Sequence, residues 1–327
     1  MGAYLYSPSI VSLLLLPISA VYWVLHQIHK LLYVIGILRT NRLAVPVIVV
    51  GNITVGGTGK TPLVTWLCAC LESNGFRPGI ISRGYKGRTT APNRVQADSD
   101  PKKYGDEPVL LARETGVPVY TSSNRVDAAK RLLAENQCDV LISDDGLQHY
   151  RLGRDIEIAV IDGWRRFGNG WLLPAGPLRE SKKRLSKVDW VLCRGGEPQE
   201  GELPYKYVAD GLQNLKTGEE YGIDQFKGKR VHAVAGIGNP DQFFSDLVES
   251  GLNIYRHPFP DHYEFQKEDL QFPDNLPIIM TEKDAVKCGK LVEQLERDVW
   301  FLEIKAQLPE SFGKDVVTKL NEVTRRG

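Results

Sequence analysis

Positions 45–50 form a short, continuous apolar run rich in β-branched residues, and further β-like runs occupy 79–82, 117–121, 140–143, 156–161 and 190–193. Each reads as a strand buried on both faces. Helix-like stretches lie between several of them, at 62–74, 107–115 and 125–136. Buried strands alternating with helices imply an α/β fold, a mostly parallel sheet covered on both faces. After about residue 211 the pattern restarts. Strand-like runs follow at 230–235, 253–257, 277–280 and 299–304, with helices at 241–250 and 309–325. The chain is therefore expected to hold a nucleotide-binding α/β domain at 39–215 and a smaller C-terminal α/β domain at 216–327, the boundary falling within 205–228.

The first 38 residues follow a different rule. No Asp, Glu, Lys or Arg precedes Lys30, and residues 10–25 are apolar apart from Ser12 and Ser19, with Pro17 among them. A spanning helix needs roughly 20 apolar residues, and this run is short and interrupted. The basic n-region and the small-residue cleavage site of a signal peptide are missing. The segment reads as a membrane anchor, either a tilted span or a helix lying in the interface, with Tyr22, Trp23 and Tyr33 at headgroup level. Lys30, Arg39 and Arg42 come next and put the remainder in the cytoplasm. A buried core helix is the competing reading.

Composition narrows the picture. With 327 residues, 42% hydrophobic and 25% charged, the chain can form one large or two medium cores. A net charge of +1 gives no general attraction to nucleic acid. The five cysteines, Cys68, Cys70, Cys138, Cys193 and Cys288, form no C-x-x-C pair, so neither a zinc site nor a disulfide framework is indicated. No obligate protein partner is indicated either.

The chemistry concentrates at residues 51–62, GNITVGGTGKTP, where a strand meets a helix. Gly56, Gly57 and Gly59 let successive backbone N–H groups face phosphate oxygens, and the new helix adds its dipole. Lys60 supplies a mobile charge to the β- and γ-phosphates, and the Thr61 hydroxyl can ligate Mg²⁺. Thr54 stands where the G-x-x-x-x-G-K-[ST] pattern has its first glycine. The candidate nucleotide contacts are thus Thr54, Val55, Gly56, Gly57, Thr58, Gly59, Lys60 and Thr61. The loop implies a nucleoside triphosphate with Mg²⁺ and leaves ATPase, GTPase and kinase open. Such a site needs a carboxylate at a neighbouring strand end. VLISDD supplies Asp144 and Asp145, preferred over Asp162 at the end of IAVID, because two adjacent aspartates need a cation or a proton.

This loop, together with SRGYKG (82–87), GDEP (105–108), SDDGLQH (143–149), LLPAGPLRE (172–180), FPDHYEF (259–265) and TEKDAVK (281–287), resembles the tetraacyldisaccharide 4′-kinase family of lipid A biosynthesis. The resemblance implies transfer of the γ-phosphoryl group of ATP to the 4′-hydroxyl of a tetraacylated glucosamine disaccharide 1-phosphate, giving lipid IVA. It implies a site in a cleft between two α/β domains at the cytoplasmic face of the inner membrane. Matching positions carry roles: Asp106 as general base, His262 as its partner from the second domain, and Asp144 and Asp145 near the metal and γ-phosphate. Glu180 becomes a further Mg²⁺ contact. Arg125 and Arg179 become contacts of the phosphoryl group or of the substrate's 1-phosphate. Arg83 and His149 are weaker candidates, and TEKD is left as a strand end and helix start capped by Glu282 or Asp284. The alternative is a regulatory P-loop GTPase or ATPase of the metal-chaperone or partitioning type. TEKD lacks the spacing of the guanine-reading N/T-K-x-D motif, and there is no His- or Cys-rich tract.

Overall fold

The computed structural model describes residues 3–326 apart from 86 and 88. Helix α1 (Ile10–Val34) comes first, and β1 (Val47–Gly51) leads through the glycine loop into α2 (Lys60–Ser73). Next are β2 (Pro78–Ser82), β3 (Asn93–Val95), α3 (Pro101–Tyr104), α4 (Asp106–Thr115), β4 (Val119–Thr121), α5 (Arg125–Glu135) and β5 (Val140–Asp144). Strands β6 (Ile156–Asp162), β7 (Trp190–Arg194), β8 (Glu202–Asn214), β9 (Glu220–Tyr221) and β10 (Arg230–Ala235) follow. The chain closes with α6 (Pro240–Glu249), β11 (Asn253–Pro258), β12 (Ile278–Thr281), α7 (Glu282–Val292), β13 (Val299–Gln307) and α8 (Glu310–Arg326).

Every residue of β1, β2, β5 and β6 is buried, as strands of a parallel sheet covered on both faces should be. β1 lies between β5 and β6 and is parallel to both, with Val50 opposite Asp144 and Gly51 opposite Ala159. This register brings Gly51, Asp144 and Asp162 to one carboxyl edge, where open α/β sheets bind ligands.

The strands expected from apolar runs all form; β3, β8 and β9 are additional. β8 joins the two halves. Its start pairs in parallel with β7, and its end pairs antiparallel with β13, so the sheet continues as β11-β10-β12-β13-β8-β7-β6-β1-β5-β2-β4-β3. The stretch 205–228, read as a boundary, thus contains most of the longest strand. The final helix also crosses back. Phe312 of α8 packs against Trp66 of α2 and Trp190 of β7, each at a centroid distance of 5.6 Å.

α1 is inverted relative to an ordinary surface helix. Ser12 and Ser19 are its buried residues, whereas Ile10, Leu14, Leu25 and Val34 are 77%, 73%, 62% and 75% exposed. It is capped by Ser9 and carries Pro17 inside it. Its length and composition would suit a membrane span, yet its polar side chains fasten it to the body. Ser19 Oγ donates to the Leu172 carbonyl, and Tyr22 Oη donates to that of Arg179.

Candidate active site

The glycine loop leaves β1 at Gly51 and ends at Gly59, the N-cap of α2. No side chain caps this helix, so its first amides stay available to an anion. Gly59 is required twice over. Its φ is +85°, and a Cβ there would lie 1.8 Å from Tyr207 Oη. Lys60 Nζ lies 3.3 Å from Asp145 Oδ1 and also donates to Asn52 Oδ1 at 3.4 Å. Arg179 Nη1 donates to both oxygens of Asp145, at 3.1 and 2.9 Å. Two cations suited to phosphate oxygens, Lys60 and Arg179, are thus paired with one carboxylate.

The Asp144 and Asp145 carboxyls are shifted in opposite directions. Burial acts on both, but in Asp145 it is outweighed by Lys60, Arg179 and Arg125, which hold the carboxyl well below the usual carboxylate range. In Asp144, burial, reinforced by Glu107, pushes the carboxyl up to about 7 against the pull of Lys60. Asp144 is 1% exposed, Ser82 Oγ donates to its Oδ2, and its Oδ1 has no hydrogen-bond partner. That orphaned acceptor calls for a proton or a cation. Beneath the pair, Arg125 is buried and donates through Nη2 to the carbonyls of Asp144 (3.2 Å) and Asp145 (2.6 Å). Asp162, the less favoured acidic strand end, pairs with Arg194 and accepts the amides of Trp164 and Arg165.

Facing the loop are two helix starts and a turn from the C-terminal half. Asp106 opens α4 behind Gly105, whose φ is +94°. His262 lies in the turn after β11 with φ +60°, its amide donating to the Gly236 carbonyl. Its Nδ1 is 2.9 Å from Asp106 Oδ2, and Lys283 Nζ at the start of α7 is 3.2 Å from its Nε2. The ammonium can only donate, so Nε2 accepts and Nδ1–H points to Asp106. Burial raises the Asp106 carboxyl, but the His262 hydrogen bond and the charges of Lys287 and Lys283 bring it below its ordinary value. A cleft continues from the loop past Glu107 and Lys283 to an apolar wall of Leu110, Phe243, Leu302 and Ile304.

The chain matches the family model described as LpxK, tetraacyldisaccharide-1-P 4′-kinase, over residues 11–321. The chain belongs to this family. A tetraacyldisaccharide 4′-kinase of Nitrosococcus oceani is 48% identical over 324 residues, covering 99% of this chain and 95% of that protein. One from Alkalilimnicola ehrlichii is 48% identical over 315 residues, covering 95% and 94%. A crystal structure of an "apo" form of LpxK from Aquifex aeolicus in complex with ATP superposes with a TM-score of 0.80 at 30% identity, covering 95% of this chain and all of that one. Membership in a kinase family removes the regulatory NTPase alternative.

Several residues of this kinase sit differently from their expected roles. Val55 N–H donates to the Pro177 carbonyl and Thr54 pairs with Leu178, so the start of the loop is a strut and not a phosphate cradle. Glu180 is 2% exposed. Gln148 Nε2 and Tyr150 Oη donate to its two oxygens, and His26 and Arg184 lie within 4.0 Å. These partners turn it toward α1, which leaves its carboxylate committed before any cation arrives. His149 is pushed down to about 4 by burial and the surrounding arginines, with its Nε2 unpartnered. Residue 86 of the 82–87 block lies outside the described residues.

Sequence reasoning missed Lys283 and Asp261. Lys283 Nζ lies 3.4 Å from Glu107 and 3.7 Å from Asp261 and completes the His262 network. Thr281, and neither Glu282 nor Asp284, is the N-cap of α7. Asp284 instead accepts the Gly236 amide, fixing the turn beside His262. The available signal was the TEKD block itself, a lysine at a helix start following a strand. Among the described residues, no group of three or more His, Cys, Asp or Glu is arranged to hold a metal alone. A Mg²⁺ carried by a triphosphate needs only one or two carboxylates, and the unpartnered Oδ1 of Asp144 is an acceptor suited to that demand.

Proposed function

We propose that this chain is an ATP-dependent kinase that phosphorylates the 4′-hydroxyl of a tetraacylated glucosamine disaccharide 1-phosphate, giving lipid IVA, at the cytoplasmic face of the inner membrane. One observation carries the reading. The triphosphate loop lines one cleft with Glu107, Asp261 and Lys283, the immediate neighbours of the Asp106–His262 pair: Glu107 follows Asp106 in α4, and Lys283 Nζ lies 3.2 Å from His262 Nε2.

In this reading ATP lies on Gly56–Thr61, with Lys60 released from Asp145 to the phosphates. Thr61, Asp144 and Asp145 would hold Mg²⁺, which would supply neutralising charge to the β- and γ-phosphates. Asp106, ionised at neutral pH, accepts the proton of the 4′-hydroxyl as its oxygen bonds to the γ-phosphorus and the bond to the β–γ bridging oxygen breaks. His262, its Nε2 held by Lys283, keeps the Asp106 carboxylate oriented. Arg179 meets the transferring phosphoryl group or the substrate's 1-phosphate. Catalysis is mostly positioning and charge neutralisation, so the two halves close on both substrates. The outward apolar face of α1 supports an anchor lying in the membrane interface, which suits a glycolipid acceptor.

The test is Asp106→Ala with nucleotide binding and turnover measured separately. Turnover should fall by at least ~10²-fold, while ATP affinity stays within a few-fold of the wild type. Loss of ATP binding would instead place Asp106 among the nucleotide ligands and remove the general base from this reading.

A further inference from the structure

Segment 172–180 is held from two sides. On one side it is tied to the phosphate loop: Arg179 N–H donates to the Ile53 carbonyl (2.7 Å) and Val55 N–H to that of Pro177 (2.8 Å). On the other it is tied to α1. Ser19 Oγ donates to the Leu172 carbonyl and accepts the Ala175 N–H, both at 2.9 Å, and Tyr22 Oη donates to the Arg179 carbonyl at 2.9 Å. Arg179 is the crossing point. Its amide binds the loop strand, its carbonyl binds α1, and its guanidinium binds Asp145. A membrane anchor alone has no need of these bonds, and Ser19 is the only small polar residue between 13 and 21.

We infer that α1 is a working part of the phosphoryl-transfer site as well as an anchor, and that Tyr22 is a positioning residue acting through Arg179. The outer face of α1 meets lipid; its inner face sets the height and direction of the Arg179 side chain against Asp145 and the phosphate loop. A displacement of about 1 Å at such a group is costly to rate while leaving the fold intact. The inference rests on Arg179 meeting the phosphoryl group or the substrate, and the experiment below separates the two ideas.

The full-length enzyme is assayed in detergent, where acceptor delivery needs no bilayer, using MgATP and a tetraacyldisaccharide 1-phosphate. Four proteins are compared: wild type, Tyr22→Phe, Arg179→Lys, and the double variant. Tyr22→Phe keeps the ring and removes one hydrogen bond, and thermal melting checks that it is folded. The expected result is a kcat ~3–10-fold lower with KM for ATP unchanged. That loss should vanish in the Arg179→Lys background, because two residues acting through one group are not additive. An unchanged kcat for Tyr22→Phe overturns the inference. So does a loss of equal factor in both backgrounds, which would mean the effect does not pass through Arg179. Wild-type kcat in Arg179→Lys alone would instead remove Arg179 from the reaction.

Discussion

Gly59 and Asp144 show how single residues are bound to opposite demands. At Gly59 a side chain would need a left-handed backbone and would collide with Tyr207 Oη and with Arg194 Cδ, 2.6 Å from the added carbon. Gly59→Ala should therefore destabilise the protein by about 1–3 kcal/mol, read from denaturant unfolding, and weaken ATP binding together with it. Asp144 is the reverse case. Its carboxyl, raised to about 7, favours folding when protonated, so its stabilising share is complete below the ordinary value of 3.8 and is lost as pH rises through 7. Asp144→Asn should consequently melt higher than the wild type at pH 8, with little difference at pH 4, while losing most activity. Equal melting temperatures at pH 8 would show that the ionised carboxylate is not costly in the ligand-free protein. Lys60 and Thr61 stood out in the sequence as a glycine loop running into a helix start, and Asp144 and Asp145 as an apolar strand ending in acid, each a local pattern. Lys283 did not, since its partners, His262, Glu107 and Asp261, are gathered by the fold from two halves of the chain.

Elements were legible where one environment covers their whole length. β1, β5 and β6 are buried from end to end, and mostly apolar, β-branched sequence marks each. β8 is not. It changes from parallel to antiparallel partners along 13 residues, and its alternately buried and open positions include Pro204, Asp210 and Gly211. No single period describes such a strand, so it passed for a boundary. α1 was legible as apolar and unusual, yet only the structure reveals that Ser19 and Tyr22 bond to the body while apolar residues such as Ile10 and Leu14 are exposed. Removing residues 1–38 should release the protein from membranes; sedimentation with vesicles checks this, and a truncated chain that still sediments would locate lipid binding elsewhere. The same truncation removes the hydroxyl partners of Leu172, Ala175 and Arg179, so the released protein should also melt at a lower temperature.

At the scale of the whole molecule, one sheet spans both halves, and the site lies where they face each other. β8 is shared, α8 packs on α2, and Asp106 at the start of α4 meets His262 in the turn after β11. The P-loop fold class and the kinase reading came from the sequence; the continuity across residue 215 did not, because a boundary is inferred from where patterns restart, and pairing across it leaves no local mark. This arrangement needs both substrates in one cleft and predicts little ATP turnover without an acceptor. The most direct measurement is transfer from γ-labelled ATP, with purified protein, Mg²⁺ and a tetraacyldisaccharide 1-phosphate in detergent. Label should appear in the glycolipid, dependent on the acceptor and reduced by at least ~10²-fold in Lys60→Ala. Release of labelled phosphate without acceptor, with no labelled glycolipid, would rule out the kinase reading of this cleft.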